Sequence, residues 1–575
     1  MLEKILSCLG NYKKYAIITP ILVIGEVLLE VFIPYLMAKI IDVGIKNSDI
    51  NYILKLGGLM VLMAMMSLLL GALSGRFAAL ASTGLAMGIR QKLFYTLQDF
   101  SFGNLDKFST ASLVTRLTTD VTNTQTAFMM IIRLLVRAPV MLVSATILAI
   151  SINVRLSMIF LVAIPVMATS LGIIAAKAFP LFQKMLKKYD FLNTSVQENL
   201  IAIRVVKAFV RKDYENEKFK EAAASLREAE MKAARVLIFY MPIMMFTMYA
   251  CTIAISWFGG NLVIAGSMQI GALFSFISYI SQILISLMLI SVAFIGIVMS
   301  RASVGRIIEI IDEPLDIVDN AAVNVKSPSD GSVVFDNVSF SYAEKRDNLT
   351  LSNINLTINS GETIGIIGGT GSAKTTLVQL IPRLYDVLSG RILVGGNDVR
   401  DYKLDTLRNE VAMVLQKNVL FSGTIKDNLK WGSSKATNEE IVDACKVAQA
   451  HDFIMSFPKG YETDLGQGGV NVSGGQKQRL CIARALLKHP KIMILDDSTS
   501  AVDTATDSRI QEGFKENLSG MTIIIIAQRI TSVMDADKII VMHDGQIDAI
   551  GTHEELLIRN KIYLEVYELQ QKGVV

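Results

Sequence analysis

Six long apolar runs, all before residue 300, dominate the hydrophobic pattern of the chain: 16–41, 53–75, 133–151, 155–178, 236–258 and 268–298. Each is near or above the roughly 20 residues that an α-helix needs to cross a bilayer, so each is expected to be a span. The first run begins after Lys13 and Lys14 and is followed by Asp42, without a small-residue cleavage site, so it reads as a span and not as a signal peptide. The first, third and fifth connections are short, and their basic residues Lys46, Lys55 and Arg155 sit near span ends. The second and fourth are long and basic, carrying Arg90, Lys92, Lys107 and Arg116, then Lys184, Lys187, Lys188, Arg204, Lys207, Arg211 and Lys212. Basic connections stay in the cytoplasm, so both termini are expected there. Both long connections have helix-forming composition and helical periodicity, which predicts that they prolong the membrane helices; some 15 extra residues would reach roughly 20 Å beyond the bilayer. Their tips, 105–113 and 202–210, mix apolar and basic residues, as helices docking on a soluble domain would.

After residue 300 the texture changes. RASVGRIIEIIDEPLDIVDN (301–320) and a polar SPSDG stretch form a connection, and beyond Val333 short β-rich runs (SVVFDNVSF, ETIGIIGG, KIMILDD, MTIIIIA) alternate with helical segments. That alternation predicts an α/β domain with a largely parallel sheet. The expected division is a six-helix membrane domain over 1–310, a linker over 311–332 and an α/β domain over 333–575. Composition agrees with this division: 52% of the 575 residues are hydrophobic and only 19% charged, outside the range of an ordinary soluble protein. A net charge of +4 argues against nucleic acid as a partner. Cys8, Cys251, Cys445 and Cys481 have no CxxC spacing and the four histidines do not join them, so disulfides, zinc and thiol catalysis are not expected.

The candidate chemistry lies in the second half. Strand ETIGII runs into GGTGSAKTT (368–376) and then the helical LVQLIPRLY. Strand, Gly-rich turn and helix make the context of a phosphate loop: Gly368, Gly371, Ser372, Ala373 and Thr376 belong to the cradle, Lys374 reaches the terminal phosphates, and the Thr375 hydroxyl holds Mg²⁺. Ala373 stands where the final glycine of such loops is usual, adding a methyl where backbone and phosphate approach. IMILDD (492–497) reads as a buried strand ending in two carboxylates, with Asp496 suited to the Mg²⁺ shell. In VSGGQKQRLCIARAL (472–486), Ser473, Gly474, Gly475 and Gln476 precede a helix, as an anion-binding N-terminus or as an ordinary helix cap.

Taken in order, these segments resemble the ABC exporters, in which a six-helix membrane domain is fused to one nucleotide-binding domain. The resemblance covers the whole chain. It implies a membrane all-α six-helix domain with long cytoplasmic helical extensions, followed by an α/β P-loop ABC ATPase domain. It further implies ATP and Mg²⁺ as cofactors, Tyr342 in VSFSY as the adenine-stacking aromatic, and Gln416 in VLQKNVLF as the Q-loop glutamine beside the metal. The Walker A loop falls at 368–376, the signature at 472–476, Walker B at 492–496, and the D-loop at 500–503. In this family two halves meet head to tail, so the chain is expected to need a second half-transporter.

Three positions depart from the family pattern. Asp497 replaces the glutamate that orients the attacking water, Gln528 in IIAQRI replaces the switch histidine, and Ala373 replaces the glycine. Aspartate is one methylene shorter, withdrawing the carboxylate by more than about 1 Å, and a misplacement of that size can cost about 10²-fold in rate. Glutamine cannot carry a positive charge or relay a proton. All three departures belong to one composite site, while the signature serving a partner's ATP is intact. The expectation is the degenerate-site half of a heterodimeric bacterial multidrug exporter, in the inner membrane, whose partner supplies Glu and His; a homodimer in which Asp and Gln suffice is the alternative.

The expected cargo is a hydrophobic or amphipathic small molecule. Glu26 and Glu30, four residues apart in the first span, favour cationic cargo if they face a cavity, or bond to neighbouring helices if they do not. A lipid or peptide exporter is a second reading, although no peptidase-like segment precedes the first span. An ATP-gated channel or regulator is a third, weakened by the lack of a basic pore lining.

Overall fold

The protein is described here from a computed structural model covering residues 2–319, 327–342, 348–497, 503–518 and 520–572. Among the described residues, six helices are long and apolar enough to cross a membrane: span 1 (Gly10–Ile45), span 2 (Ile50–Asp99), span 3 (Thr110–Ile152), span 4 (Val154–Ile201), span 5 (Lys212–Ile264) and span 6 (Ile270–Asp312). Span 2 alone runs 50 residues, about 75 Å at 1.5 Å per residue against a hydrocarbon thickness of about 30 Å. The helical extensions are thus present and longer than the roughly 20 Å expected.

Apolar positions at helical spacing bury the seams between spans. Val23, Val27 and Val31 line one face of span 1 and are fully buried. Phe160 of span 4 stacks on Phe276 of span 6 at 5.8 Å, and the Tyr279 hydroxyl donates to the carbonyl of Val31 at 3.1 Å. Asp42, at the end of span 1, accepts from the backbone N–H groups of Gly271 and Ala272 at 2.6 and 3.1 Å, satisfying the otherwise orphaned donors that open span 6.

Span 3 carries two wide turns, at Arg116–Asp120 and Met130–Leu134, where the helical ladder takes in an extra residue. At the first, fully buried Asp120 accepts a two-pronged bond from Arg306 of span 6, with Nε at 2.7 Å. Arg116 pairs with Glu309 at 2.8 Å and donates to the carbonyl of Arg306 at 2.9 Å. Just past the second, the Arg137 guanidinium forks across both carboxylates of span 1, to Glu26 and to Glu30 at 2.6 Å. Ser74 of span 2 also donates to Glu26, at 3.4 Å. Of the two readings of Glu26 and Glu30, the structure shows the second: they are tied to a neighbouring helix by an ion-paired clamp, one guanidinium against two carboxylates, so they are not the bare pair from which an attraction for cations was inferred. Glutamates on one span and an arginine on another, 107 and 111 positions apart in the chain, carry no local signal of their pairing.

The chain packs as two compact units, Met1–Gln98 with Ser109–Glu313, and Asp99–Phe108 with Pro314–Val575. The tip of the first long connection therefore belongs with the α/β unit. There α1 (Phe102–Asp106) is opened by a capping box between Ser101 and Asn104, and the Asn104 side chain reaches the carbonyl of Pro314 at 2.8 Å. The tip of the other connection, α2 (Ile203–Ala208), lies in the first unit. Around it Ile201, Phe209 and Val210 are 78%, 74% and 86% exposed.

The second unit holds two sheets and a short ribbon. β1 (Val333–Phe340), β2 (Leu351–Ile358), β4 (Ser389–Val394) and β5 (Asn397–Asp398) form an antiparallel sheet in the order β2-β1-β4-β5. β3 (Thr363–Gly368), β6 (Val411–Val414), β9 (Ile492–Asp496), β10 (Thr522–Ile526), β11 (Lys538–His543) and β12 (Gln546–Gly551) form the six-stranded sheet β12-β11-β3-β10-β9-β6. This second sheet is parallel apart from β12. β7 (Gly423–Thr424) and β8 (Asp464–Leu465) make the ribbon. The parallel strands are near-continuous apolar runs, rich in isoleucine in β10, because both faces are covered. The antiparallel sheet was not separately expected; its strands alternate apolar with polar positions in the same way as any half-buried strand.

Candidate functional site

In a parallel sheet the carboxyl ends of the strands share one edge, where ligands of α/β folds bind. Ile366 of β3 is in register with Ile526 of β10, and Ile526 with Asp496 of β9. The phosphate loop following β3, the carboxylates ending β9, Gln528 just after β10 and Gln416 just after β6 are thereby delivered to one rim, although 160 residues separate the first from the last in sequence.

Gly368 ends β3 where a Cβ would stand 2.3 Å from the carbonyl of Met542, so no side chain fits. Gly371 follows at φ +87°, and α3 (Lys374–Gln379) starts directly after Ala373. Ala373 itself has φ +67°. The left-handed conformation costs a residue with a Cβ roughly 1–2 kcal/mol, which gives the missing glycine a physical meaning beyond crowding. Ala373→Gly is expected to raise the stability of the nucleotide-free protein by about 1 kcal/mol of relieved strain, measured by thermal unfolding; unchanged or lower stability would show that the turn is not strained.

Lys374 is half-buried, and its Nζ donates to the carbonyls of Gly368 and Gly369 at 2.9 and 2.8 Å and approaches Ser372 Oγ at 3.3 Å. Burial holds its pKa below the usual lysine value, against the opposing pull of Asp496 and Asp497. The Thr375 hydroxyl donates to Asp496 Oδ1 at 3.0 Å, while Asp496 Oδ2 is buried with no hydrogen-bond partner. Burial, reinforced by the neighbouring Asp497, raises the Asp496 pKa, and the Thr375 bond and Lys374 oppose it. An orphaned carboxylate oxygen next to a hydroxyl suits a hard cation that prefers oxygen and keeps part of its shell for water and phosphate, so the residues present fit Mg²⁺. Asp496→Asn is expected to stabilise the nucleotide-free protein by about 1 kcal/mol, since it removes a buried charge with an unmet acceptor, and to abolish Mg²⁺-dependent ATP turnover. Lower thermal stability in the variant would contradict this reading.

Asp497 is 8% exposed and sits at φ +49°. Gln528 Nε2 donates to its Oδ2 at 2.7 Å, and Gln416 Nε2 approaches the same oxygen at 3.4 Å. The three sequence-predicted residues Asp497, Gln528 and Gln416 are thus brought together around one oxygen.

Tyr342 lies across the loop from these groups. Its hydroxyl bonds Thr376 Oγ1 at 3.0 Å and its ring meets Phe340 edge-on at 4.9 Å. A residue that the sequence did not single out, Tyr385, completes this cluster: its ring stands edge-on to Tyr342 at 5.1 Å and to Phe102 of α1 at 6.0 Å, and its hydroxyl donates to Asp106 at 2.7 Å. Burial and the adjoining Asp106 push its pKa far up, so it stays a neutral donor. Tyr385 therefore connects the aromatic platform to the tip helix; in the string RLYD nothing distinguishes it from a core tyrosine.

The signature residues open α4 (Gly474–Leu486). Ser473 Oγ accepts from the N–H of Gln476 at 3.3 Å and Gln476 returns a bond to the Ser473 N–H at 2.8 Å. They form a helix cap, as the plain reading had it, and the Gly474 position is exposed, with no Cβ over the helix N-terminus. Of the D-loop, residues 500–502 lie outside the described residues; Asp503 caps the next helix through Thr506 at 2.9 Å.

Comparison with known proteins agrees with this architecture. The family described as ABC transporter transmembrane region matches residues 16–288, and that described as ABC transporter matches 351–500. The chain is 39% identical over 569 residues to YfiB, an uncharacterized ABC transporter ATP-binding protein of Bacillus subtilis (strain 168), covering 99% of this chain and 98% of that one. It is 34% identical to an ATP-dependent lipid A-core flippase of Syntrophus aciditrophicus (strain SB), over 84% of this chain and 80% of that one. It is 32% identical to YgaD of Bacillus subtilis (strain 168), a protein whose name assigns it provisionally to multidrug export, over 99% of both chains. Among solved structures, a bacterial Atm1-family ABC exporter with ATP bound matches with a TM-score of 0.82 at 23% identity, covering 98% and 99% of the two chains. With membrane helices and a phosphate-binding rim joined in one polypeptide and matched along nearly its full length, the chain belongs to the ABC transporter family, its transmembrane region and ATP-binding domain fused in one chain.

Proposed function

We propose that this chain exports hydrophobic or amphipathic small molecules across a bacterial inner membrane, as the slow-site half of a heterodimer, with both termini cytoplasmic. In this reading residues 1–310 form the membrane domain, 311–332 the connector and 333–575 the nucleotide-binding domain. The observation that carries it is the coupling of Asp497 to Gln528 at 2.7 Å: the short carboxylate is engaged by a neutral amide that can neither take nor pass on a proton.

The chain's residues divide the work on ATP. Tyr342 offers its ring to the adenine, with Phe340 and Tyr385 setting its plane. The loop N–H groups and the N-terminus of α3 receive the phosphates, and Lys374, released from the carbonyls it now bonds, neutralises the terminal ones. Thr375, Asp496 and Gln416 would hold Mg²⁺, which when bound neutralises charge on the β and γ oxygens. Asp497 accepts from Gln528 where the family pattern would place a longer carboxylate against an attacking water, so the site binds well and hydrolyses slowly. Ser473, Gly474 and Gly475 are presented outward, toward the ATP of the other half.

The tips support a two-chain assembly. α1 packs in the unit that contains the nucleotide-binding residues, while the apolar residues beside α2 are exposed; a second half's nucleotide-binding domain is the surface they suit. For the cargo, names of relatives point to drugs and to lipid A-core, and the Arg137 clamp, by engaging both carboxylates, weakens the case for cations. The test is to purify the chain alone and measure ATP turnover, with Lys374→Ala as the control. Turnover near the Lys374→Ala background is expected, rising when a partner bearing Glu and His is added; robust Lys374-dependent turnover by the chain alone would reject the heterodimer.

A further inference from the structure

Spans 4 and 5 border an open groove of about 770 Å³ within the membrane unit. Val162 and Val166 of span 4 and Phe246 and Phe258 of span 5 form much of its lining, and Ala250 and Ala254 leave the room between them. Neighbouring spans run in opposite directions, so Arg155 at the start of span 4 and Asn261 near the close of span 5, which also line the cavity, lie at the same end. From that end the hollow extends 11 residues along span 4 and 15 along span 5, about 16 to 23 Å at 1.5 Å per residue, which is the depth of one leaflet or slightly more. Among the described residues, the side chains of Arg155 and Asn261 make no hydrogen bond or ion pair.

Between its ends this hollow offers water little besides the Thr247 hydroxyl, which already donates to the carbonyl of Ile243 at 2.8 Å, and an unpaired guanidinium at its mouth attracts an anion. Inorganic phosphate would satisfy the arginine and leave the hollow empty; a neutral lipid would fill the hollow and leave the arginine unpaired. We infer that the groove is a binding site for an anionic phospholipid, with one acyl chain between spans 4 and 5, the phosphate on Arg155 and the ester region beside Asn261. The site is separate from the ATP machinery and does not depend on whether that machinery is slow.

The protein carries its own reporter. Trp257 neighbours Phe258 on span 5, and the other tryptophan, Trp431, lies in the nucleotide-binding unit. The full-length chain with Trp431→Phe, reconstituted in phosphatidylcholine vesicles, is given the same small fraction of chain-brominated phosphatidylglycerol or chain-brominated phosphatidylcholine, and Trp257 quenching is compared. One basic residue at an anionic headgroup corresponds to about fivefold local enrichment, so phosphatidylglycerol is expected to quench clearly more. Arg155→Gln is expected to equalise the two lipids, and Ala254→Phe, which fills the hollow while keeping the charge, is expected to abolish the excess. Equal quenching in the parent protein overturns the proposal. So does an excess that survives Ala254→Phe, which would mean surface attraction alone, or no quenching by either lipid, which would mean that a second copy of the chain covers the groove.

Discussion

Changing Asp497 to Glu and Gln528 to His in the same chain is expected to raise ATP turnover about 10²-fold, the order of the cost of displacing a catalytic group by an ångström. The parent geometry explains why both changes are needed. Gln528 donates to Asp497 Oδ2 at 2.7 Å, so a longer carboxylate alone would advance into the amide that now holds it, and a histidine alone would face a carboxylate set too far back. Turnover per site, measured on the purified protein under saturating Mg²⁺-ATP, decides the matter. A change within about twofold would show that Asp497 already orients water adequately, and the slow-site reading would fall. The same reasoning predicts that Asp497→Ala damages transport far less than loss of the partner's glutamate.

Removing the positive end of the membrane clamp is expected to have the largest effect on stability. Arg137→Ala leaves Glu26 and Glu30 facing each other across one helical turn with no countercharge. Breaking a fully buried pair costs about 3–5 kcal/mol, and the loss here is expected at or below the lower end because all three side chains are only partly buried. Thermal unfolding in detergent should show the loss, and Glu26→Gln/Glu30→Gln added to Arg137→Ala should recover most of it, because amides need no countercharge. If Arg137→Ala unfolds with the parent, the clamp is not structural. If the triple variant stays as unstable as Arg137→Ala, the cost lies in lost arginine packing and not in the unpaired carboxylates.

Periodicity was enough to place the spans because lipid imposes one solution on an apolar run: every backbone group must be bonded within its own helix. The phosphate loop was equally legible, since Gly368, Gly371, Lys374 and Thr375 lie within one short stretch of chain and their spacing is their geometry. Asp497 and Gln528 could be recognised one at a time as departures, but their mutual bond could not, because β9 and β10 become neighbours only when the sheet forms. Glu26 and Glu30 show the limit most plainly. Two carboxylates on one helix face read as an attractive site for a cation, and the residue that pairs with them is on another span. Tyr385 was invisible for the same reason.

What the residue order determined by itself is local: which segments are apolar long enough to cross, which turn can cradle phosphate, and which side chains differ from the pattern around it. These depend on neighbours within a few positions, where covalent connection limits the possible arrangements. Only the tertiary structure decided the pairings across distance: Arg137 with Glu26 and Glu30, Arg306 with Asp120, Gln528 with Asp497, and Tyr385 with Asp106. A charge or hydrogen-bond donor is complete only with its partner, and in a chain of this length the partner is chosen by packing.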